Sequence, residues 1–178
     1  MKDLKQFNIP FIGLNDESHL FEYQIDNTFF DAYNFDEYFD ANIQIELTFN
    51  KKDTMLTLTF AAKGTVNVTC DVSGEPFDQE INADLSLIVK FGDEFNDDNE
   101  ELLILPYSAF QINVAQYIYE MIVLNVPSKR VHPKVSDGTL ESEALEKLKK
   151  LRVTKEKTTV IVDPRWDKLK SLITEKKT

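Results

Sequence analysis

The chain has 178 residues, 42% of them hydrophobic and 13 of them Phe, which suffices for one core-bearing domain with an appendage. It contains no run of 18 apolar residues, its opening MKDLKQFNIPFIG lacks the continuous apolar stretch of a secretory leader, and its single Cys70 excludes an internal disulfide, so a reducing cytoplasm is expected. The net charge of −11 divides unevenly: residues 1–127 carry 6 Lys+Arg against 23 Asp+Glu, or −17, and residues 128–178 carry 14 against 8, or +6. An acidic body repels phosphate backbones and suits basic partners, although acidity also serves plain solubility.

In chain order, Lys5–Phe11 reads as a short strand, and its proline marks it as an edge. His19–Ile25 alternates and reads as a second strand, stopped by Asp26-Asn27. Phe29–Tyr33 is expected as a short helix within an aromatic, acidic stretch. Ile43–Phe49 and Met55–Ala61 place apolar residues at every second position around the turn Asn50–Asp53, the pattern of a hairpin. Gly64 reads as a separator before another strand, Val66–Cys70. After the turn Val72–Pro76, a strand within Phe77–Phe91 puts Ile81, Ala83, Leu85, Leu87 and Val89 on one side. Gly92–Glu101 reads as an acidic loop and Leu102–Leu105 as a short strand.

The chain is organised around the next segment, a helix over 113–125 with Val114, Tyr117, Ile118, Met121 and Ile122 at helical spacing. Asn113 and Gln116 suggest a capping box, and Pro127 stops the helix. Ala115, Val123 and Leu124 widen the apolar surface so far that burial on all sides is expected. Ser128-Lys129-Arg130 places cations beside the carboxyl end, where the helix dipole favours them. Residues 131–138 read as loop. Residues 142–151 form an amphipathic helix with the ion pairs Glu143/Lys147 and Glu146/Lys150. A charged linker, Arg152–Val162, leads to a last helix at about 164–174, with Asp163 as cap, Pro164 in its first turn, and a stripe of Trp166, Leu169, Leu172 and Ile173.

Strands first and helices after define an α+β fold. The expected architecture is an antiparallel, twisted sheet, a meander with barrel-like closure as one form, packed on the central helix. The expected organisation is an acidic β-rich body over 1–135 and a basic helical tail over 136–178.

Chemistry-bearing motifs are sparse. His19 and His132 have no nucleophile setting around them and read as structural surface residues. Cys70 lies in an alternating strand and reads as a small buried hydrophobe. A zinc knuckle needs a second ligand three residues on, where Ser73 stands, so no bound metal is expected. The Asp93–Glu101 stretch lacks the glycine and ligand alternation of a calcium loop and reads as solvated. Five glycines offer no phosphate cradle, so no cofactor is expected. The short last helix must dock on its own body or on a partner, and its Asp163, Pro164, Arg165, Trp166, Leu169 and Leu172 are the candidate partner-binding residues.

Three stretches taken together resemble the YceD family of large ribosomal RNA subunit accumulation proteins. Gly64–Pro76, GTVNVTCDVSGEP, is similar to the family's G-x-V-x-x-x-C-x-R-C-L-E-P strand and turn. Leu102–Pro127 resembles its apolar strand followed by a helix ending in L-x-x-P, and Asp163–Leu172, DPRWDKLKSL, resembles its D-P-R-(W/L)-x-x-L-x-x-L. The acidic N-terminal portion resembles the version found in Bacteroidetes-type bacteria. Val72 and Ser73 stand where the family has Arg and a second Cys, and Val131-His132-Pro133-Lys134 replaces the late cysteine cluster of many members, so zinc binding does not carry over.

The resemblance implies a non-enzymatic factor for synthesis, processing or accumulation of 23S ribosomal RNA and for large-subunit assembly. Its expected partner is a basic large-subunit ribosomal protein or a precursor particle, with ribosomal RNA touched through the basic tail and no membrane involved. Two other readings stay open: a metal- or thiol-dependent enzyme using Cys70 and His132, and a holding chaperone for one basic protein.

Overall fold

The computed structural model describes residues 4–99 and 101–151. Its centre is three long antiparallel strands, β3 (Asp40–Lys52), β4 (Met55–Thr69) and β5 (Pro76–Gly92). Their period-2 sequences give them one apolar and one polar face, because successive side chains leave a strand on opposite sides. In β3, Ala41, Ile43, Ile45, Leu47 and Phe49 are all buried, and the alternate residues Asn42, Gln44, Glu46 and Thr48 are exposed. Cross-strand pairing lines these residues up in rows, such as Phe49–Leu58–Leu87 and Ile43–Gly64–Ile81. β2 (Ser18–Ile25) extends the sheet beyond β3, with Tyr23 opposite Ile45 and Ile25 opposite Ile43.

On its other side β5 meets β7 (Leu102–Pro106) in parallel, Ile88 opposite Leu102 and Gly92 opposite Pro106. Between them in sequence, β6 (Asn96–Asn99) runs back along the outside of β7. The six-stranded order is β2-β3-β4-β5-β7-β6, so the sheet is mixed at this end, and it remains open rather than closing into a barrel. Part of the expected acidic loop is therefore strand. Gly64 proves to be no separator: β4 runs straight through it, and a Cβ there would overlap the Asn42 carbonyl oxygen and lie 2.6 Å from the Ile43 Cα. The glycine keeps β4 continuous where β3 passes closest.

The apolar face is covered from one side. α1 (Asn27–Asp31) begins at Asp26, whose carboxylate accepts the Thr28 N–H at 2.9 Å and so caps the helix. Its Phe29 and Phe30 enter an aromatic cluster with Phe7, Phe35 and Tyr38, and Tyr33 stacks on Tyr119 at 4.2 Å. The expected edge strand at Lys5–Phe11 is a 3₁₀ turn (Leu4–Phe7) followed by β1 (Asn8–Pro10). β1 pairs antiparallel with β8 (Gln111–Asn113) in a separate two-stranded ribbon.

α2 (Ala115–Asn125) packs along β5. Ala115, Ile118, Met121 and Ile122 are buried in the same cluster as Leu58, Phe60 and Leu87, while Leu85 and Tyr117 are half-buried. Two expectations are corrected here. The helix is covered on one face only, and Leu124 is 80% exposed. The capping box does not form either: Asn113 ends β8 and its side chain accepts the Ala115 N–H at 3.0 Å, whereas Gln116 reaches forward to Glu120 at 2.8 Å.

Beyond α2, the stretch expected to be loop contains the short α3 (Pro133–Ser136). α4 (Glu143–Leu151) matches its expected span and forms the Lys147–Glu143 pair at 2.6 Å.

Candidate functional site

β4 ends at Thr69, and the chain turns through Cys70–Glu75 into β5. This turn is tightly bonded. The Cys70 N–H donates to the Glu75 carbonyl and the Gly74 N–H to the Cys70 carbonyl, both at 2.9 Å. Gly74 holds φ +75°, the left-handed region where a side chain would be strained. Ser73, 6% exposed, accepts the Glu75 N–H on its hydroxyl at 3.3 Å.

The Cys70 thiol is 1% exposed, in line with its reading as a buried small residue, but it is not idle. Two main-chain donors converge on its sulfur: the Ser73 N–H at 3.5 Å and the His132 N–H at 3.3 Å. Burial pushes the thiol up, and the His132 N–H, the Ser73 hydroxyl and the N–H groups of Ser73 and Val72 together more than offset it, leaving the pKa at about 7 against an ordinary 9.0.

The folded chain thus favours the thiolate. The resulting stability is fully present above the unfolded value near 9.0 and is lost as pH falls through about 7. In urea titrations the wild type should gain stability over Cys70→Ala as pH rises across this window. A difference that is flat or declining with pH would show that the sulfur stays protonated.

The segment after α2 is laced to this turn. The Arg130 N–H donates to the Asp71 carboxylate at 2.7 Å, and the Asp71 N–H donates to the Arg130 carbonyl at 2.8 Å. The Arg130 guanidinium pairs with Glu37 at 2.9 Å. Burial pushes the neighbouring Tyr38 phenol up to about 12, with Arg130 opposing. Arg130, expected at the carboxyl end of α2 as a dipole partner, instead fastens three segments of chain. Residues 59 positions apart in sequence carry no local signal of such a bond, so sequence reasoning missed Asp71, Glu37 and Arg130 as a unit.

The structure brings Cys70 and His132 together, but through the His132 main chain. The imidazole Nδ1 accepts the Lys134 N–H at 3.0 Å, capping α3, and the ring packs on Phe77 at 5.3 Å. That is a structural placement rather than one aimed at the thiol as a base. Among the described residues, no three of His, Cys, Asp and Glu gather as metal ligands. Asp163, Pro164, Arg165, Trp166, Leu169 and Leu172 lie outside the described residues.

Together these features define an α+β protein with an open six-stranded sheet, α1 and α2 packed on its apolar face, and a cysteine turn closing its longest hairpin. The chain belongs to the YceD family, described as large ribosomal RNA subunit accumulation protein YceD, whose model matches residues 58–173. No curated protein and no solved structure matches the chain. The matched region contains most of β4, and β5, the Cys70 turn and α2, whereas β2, β3 and α1, which help complete the sheet and core, precede it. Membership places the protein in large-subunit ribosomal RNA accumulation, and among the described residues no helix is long and apolar enough to cross a membrane.

Proposed function

We propose that this protein is a non-enzymatic, cytoplasmic binding factor. It supports 23S ribosomal RNA synthesis, processing or accumulation and large-subunit assembly by holding a basic ribosomal protein or a precursor particle. Family membership carries this reading. The division of charge supports it, since a −17 body attracts cationic proteins and repels bare RNA, while the +6 segment from residue 128 supplies an RNA-compatible surface. Asp163, Pro164, Arg165, Trp166, Leu169 and Leu172 would add an anchor: an aromatic ring buries much area, and a guanidinium clamps a carboxylate or phosphate bidentately.

Sedimentation of cell extract tests the reading. The protein should migrate with large-subunit precursors, and Trp166→Ala should reduce that migration while leaving the thermal unfolding temperature nearly unchanged. A protein that stays at the top of the gradient under all ionic conditions would refute it.

Association should also depend strongly on salt. Raising ionic strength from about 50 to about 500 mM should slow binding of a basic ribosomal protein by an order of magnitude or more, because exposed charges are screened beyond about 10 Å at 0.1 M. A salt-independent on-rate in stopped-flow mixing would remove electrostatics from the mechanism.

A further inference from the structure

Between α2 and the far end of the sheet lies an open groove of about 610 Å³. Its walls come from β5, β6 and α2. Tyr117 ties two of them together by donating its hydroxyl to the Asp97 carboxylate at 3.2 Å. The groove contains four carboxylates, on Asp84, Asp97, Asp98 and Glu120, and among the described residues its lining includes no Lys or Arg. The carboxyl end of α2 also reaches it at Asn125, and the last carbonyls of a helix favour cations. Beside these charges is an apolar shelf, which includes the strongly exposed Leu124.

The topology adds a third feature. β5 pairs with β7 only from Ile88 onward. Among the described residues no strand pairs with Pro76–Leu87 on that side, and the Asp84–Leu85 part of this stretch lines the groove. An unpaired edge beside a pocketed surface is the arrangement that takes up an extended peptide as an added strand.

We propose that this groove docks a Lys/Arg-rich polypeptide segment carrying at least one apolar side chain. The carboxylates and the helix terminus recognise its cations. The Leu124 shelf takes its apolar residue, and the β5 edge binds its main chain. The proposal rests on the binding-factor reading and names the surface and the chemistry of its partner. A nucleic acid fits poorly, because its phosphates would meet four carboxylates and, among the described residues, no compensating cation in the lining. The body of a second copy fits poorly for the same reason of like charge. The volume falls within the range of about 300–1,000 Å³ that ligand pockets span, enough for a few side chains.

The test uses the full chain and two probes: fluorescein-labelled synthetic peptides tiling the basic proteins of the large ribosomal subunit, and a labelled fragment of 23S ribosomal RNA. One variant combines Asp84→Asn, Asp98→Asn and Glu120→Gln, leaving the Tyr117–Asp97 bond intact. A second is Leu124→Ser. A control combines Glu17→Gln, Glu22→Gln and Glu46→Gln, removing the same charge from exposed sites away from β5, β6 and α2.

The best peptide should lose about tenfold or more in affinity with the groove variant, several-fold with Leu124→Ser, and less than about twofold with the control. Equal losses in groove variant and control would reduce the effect to net charge and overturn the proposal. Tighter binding of the RNA fragment, weakened by the groove variant, would overturn it in favour of RNA. Carbodiimide cross-linking of the chain alone provides a further arm. A link from Lys155, Lys157 or Lys168 to Asp84, Asp98 or Glu120 that the peptide does not compete away would assign the groove to the chain's own tail.

Sedimentation separates this proposal from the reading beneath it. A wild type and groove variant that comigrate equally with precursors would sink the groove alone. A wild type that neither binds peptide nor comigrates would sink both.

Discussion

Gly64→Ala is expected to destabilise the fold by about 3 kcal/mol or more, at or beyond the upper end of ordinary overpacking. Gly64 lies in the middle of β4, opposite Ile43 on one side and Ile81 on the other. A Cβ there would run into main chain, the Asn42 carbonyl and the Ile43 Cα, and not into a side chain that can rotate aside. Relief requires β3 and β4 to separate locally, which weakens ladder hydrogen bonds and shifts the buried row at Ile43. With total stabilities of about 5–15 kcal/mol, such a loss should be plain in urea unfolding and in soluble yield. Gly138→Ala is a useful contrast: Gly138 has φ +72° but open space around its Cβ position, so that variant should show conformational strain without steric overlap. A loss below about 1 kcal/mol for Gly64→Ala would mean that β3 and β4 lie further apart than described here.

Ile118→Ala should cost about 2–5 kcal/mol through lost transfer energy and the cavity left behind. Ile118 is fully buried on the face of α2 that meets β5. Leu124→Ala, on the same helix but exposed, should change stability by no more than about 0.5 kcal/mol. The contrast between the two, measured by chemical denaturation under one set of conditions, tests whether the helix is covered on one side. Similar losses at both positions would restore the expectation of burial all round. A loss under about 0.5 kcal/mol at Ile118 would remove α2 from the core.

Expectation and outcome divide along a physical line. Alternation in Ile43–Phe49, Met55–Ala61 and Phe77–Phe91 is written locally, since strand geometry sends successive side chains to opposite faces whatever the partner. The alternation of the three central strands, the short helix near Phe29 and the amphipathic helix at 142–151 were therefore legible from one sequence, although β4 read as two strands divided at Gly64. So was the family, because its motifs are local strings.

The candidate site was legible only in part. Cys70 could be read as buried, but its sulfur is addressed by the main chain of His132, 62 residues away, and no side-chain pattern encodes a backbone donor. The Arg130 links to Asp71 and Glu37 are distant in the same sense.

By itself, the sequence determined the α+β class, the period of each long element, the missing second cysteine at Ser73, and the division of charge between the body and the chain beyond it. Tertiary structure alone decided that β7 lies parallel to β5, that among the described residues no strand pairs with Pro76–Leu87 on that side, that the sheet stays open, and that Leu124 faces out. An α2 apolar on nearly every side does not say which side the sheet will cover. That choice belongs to non-local packing, where one strand edge and one helix face compete for the same partner, and the groove lined by Asp84, Asp98 and Glu120 results from it.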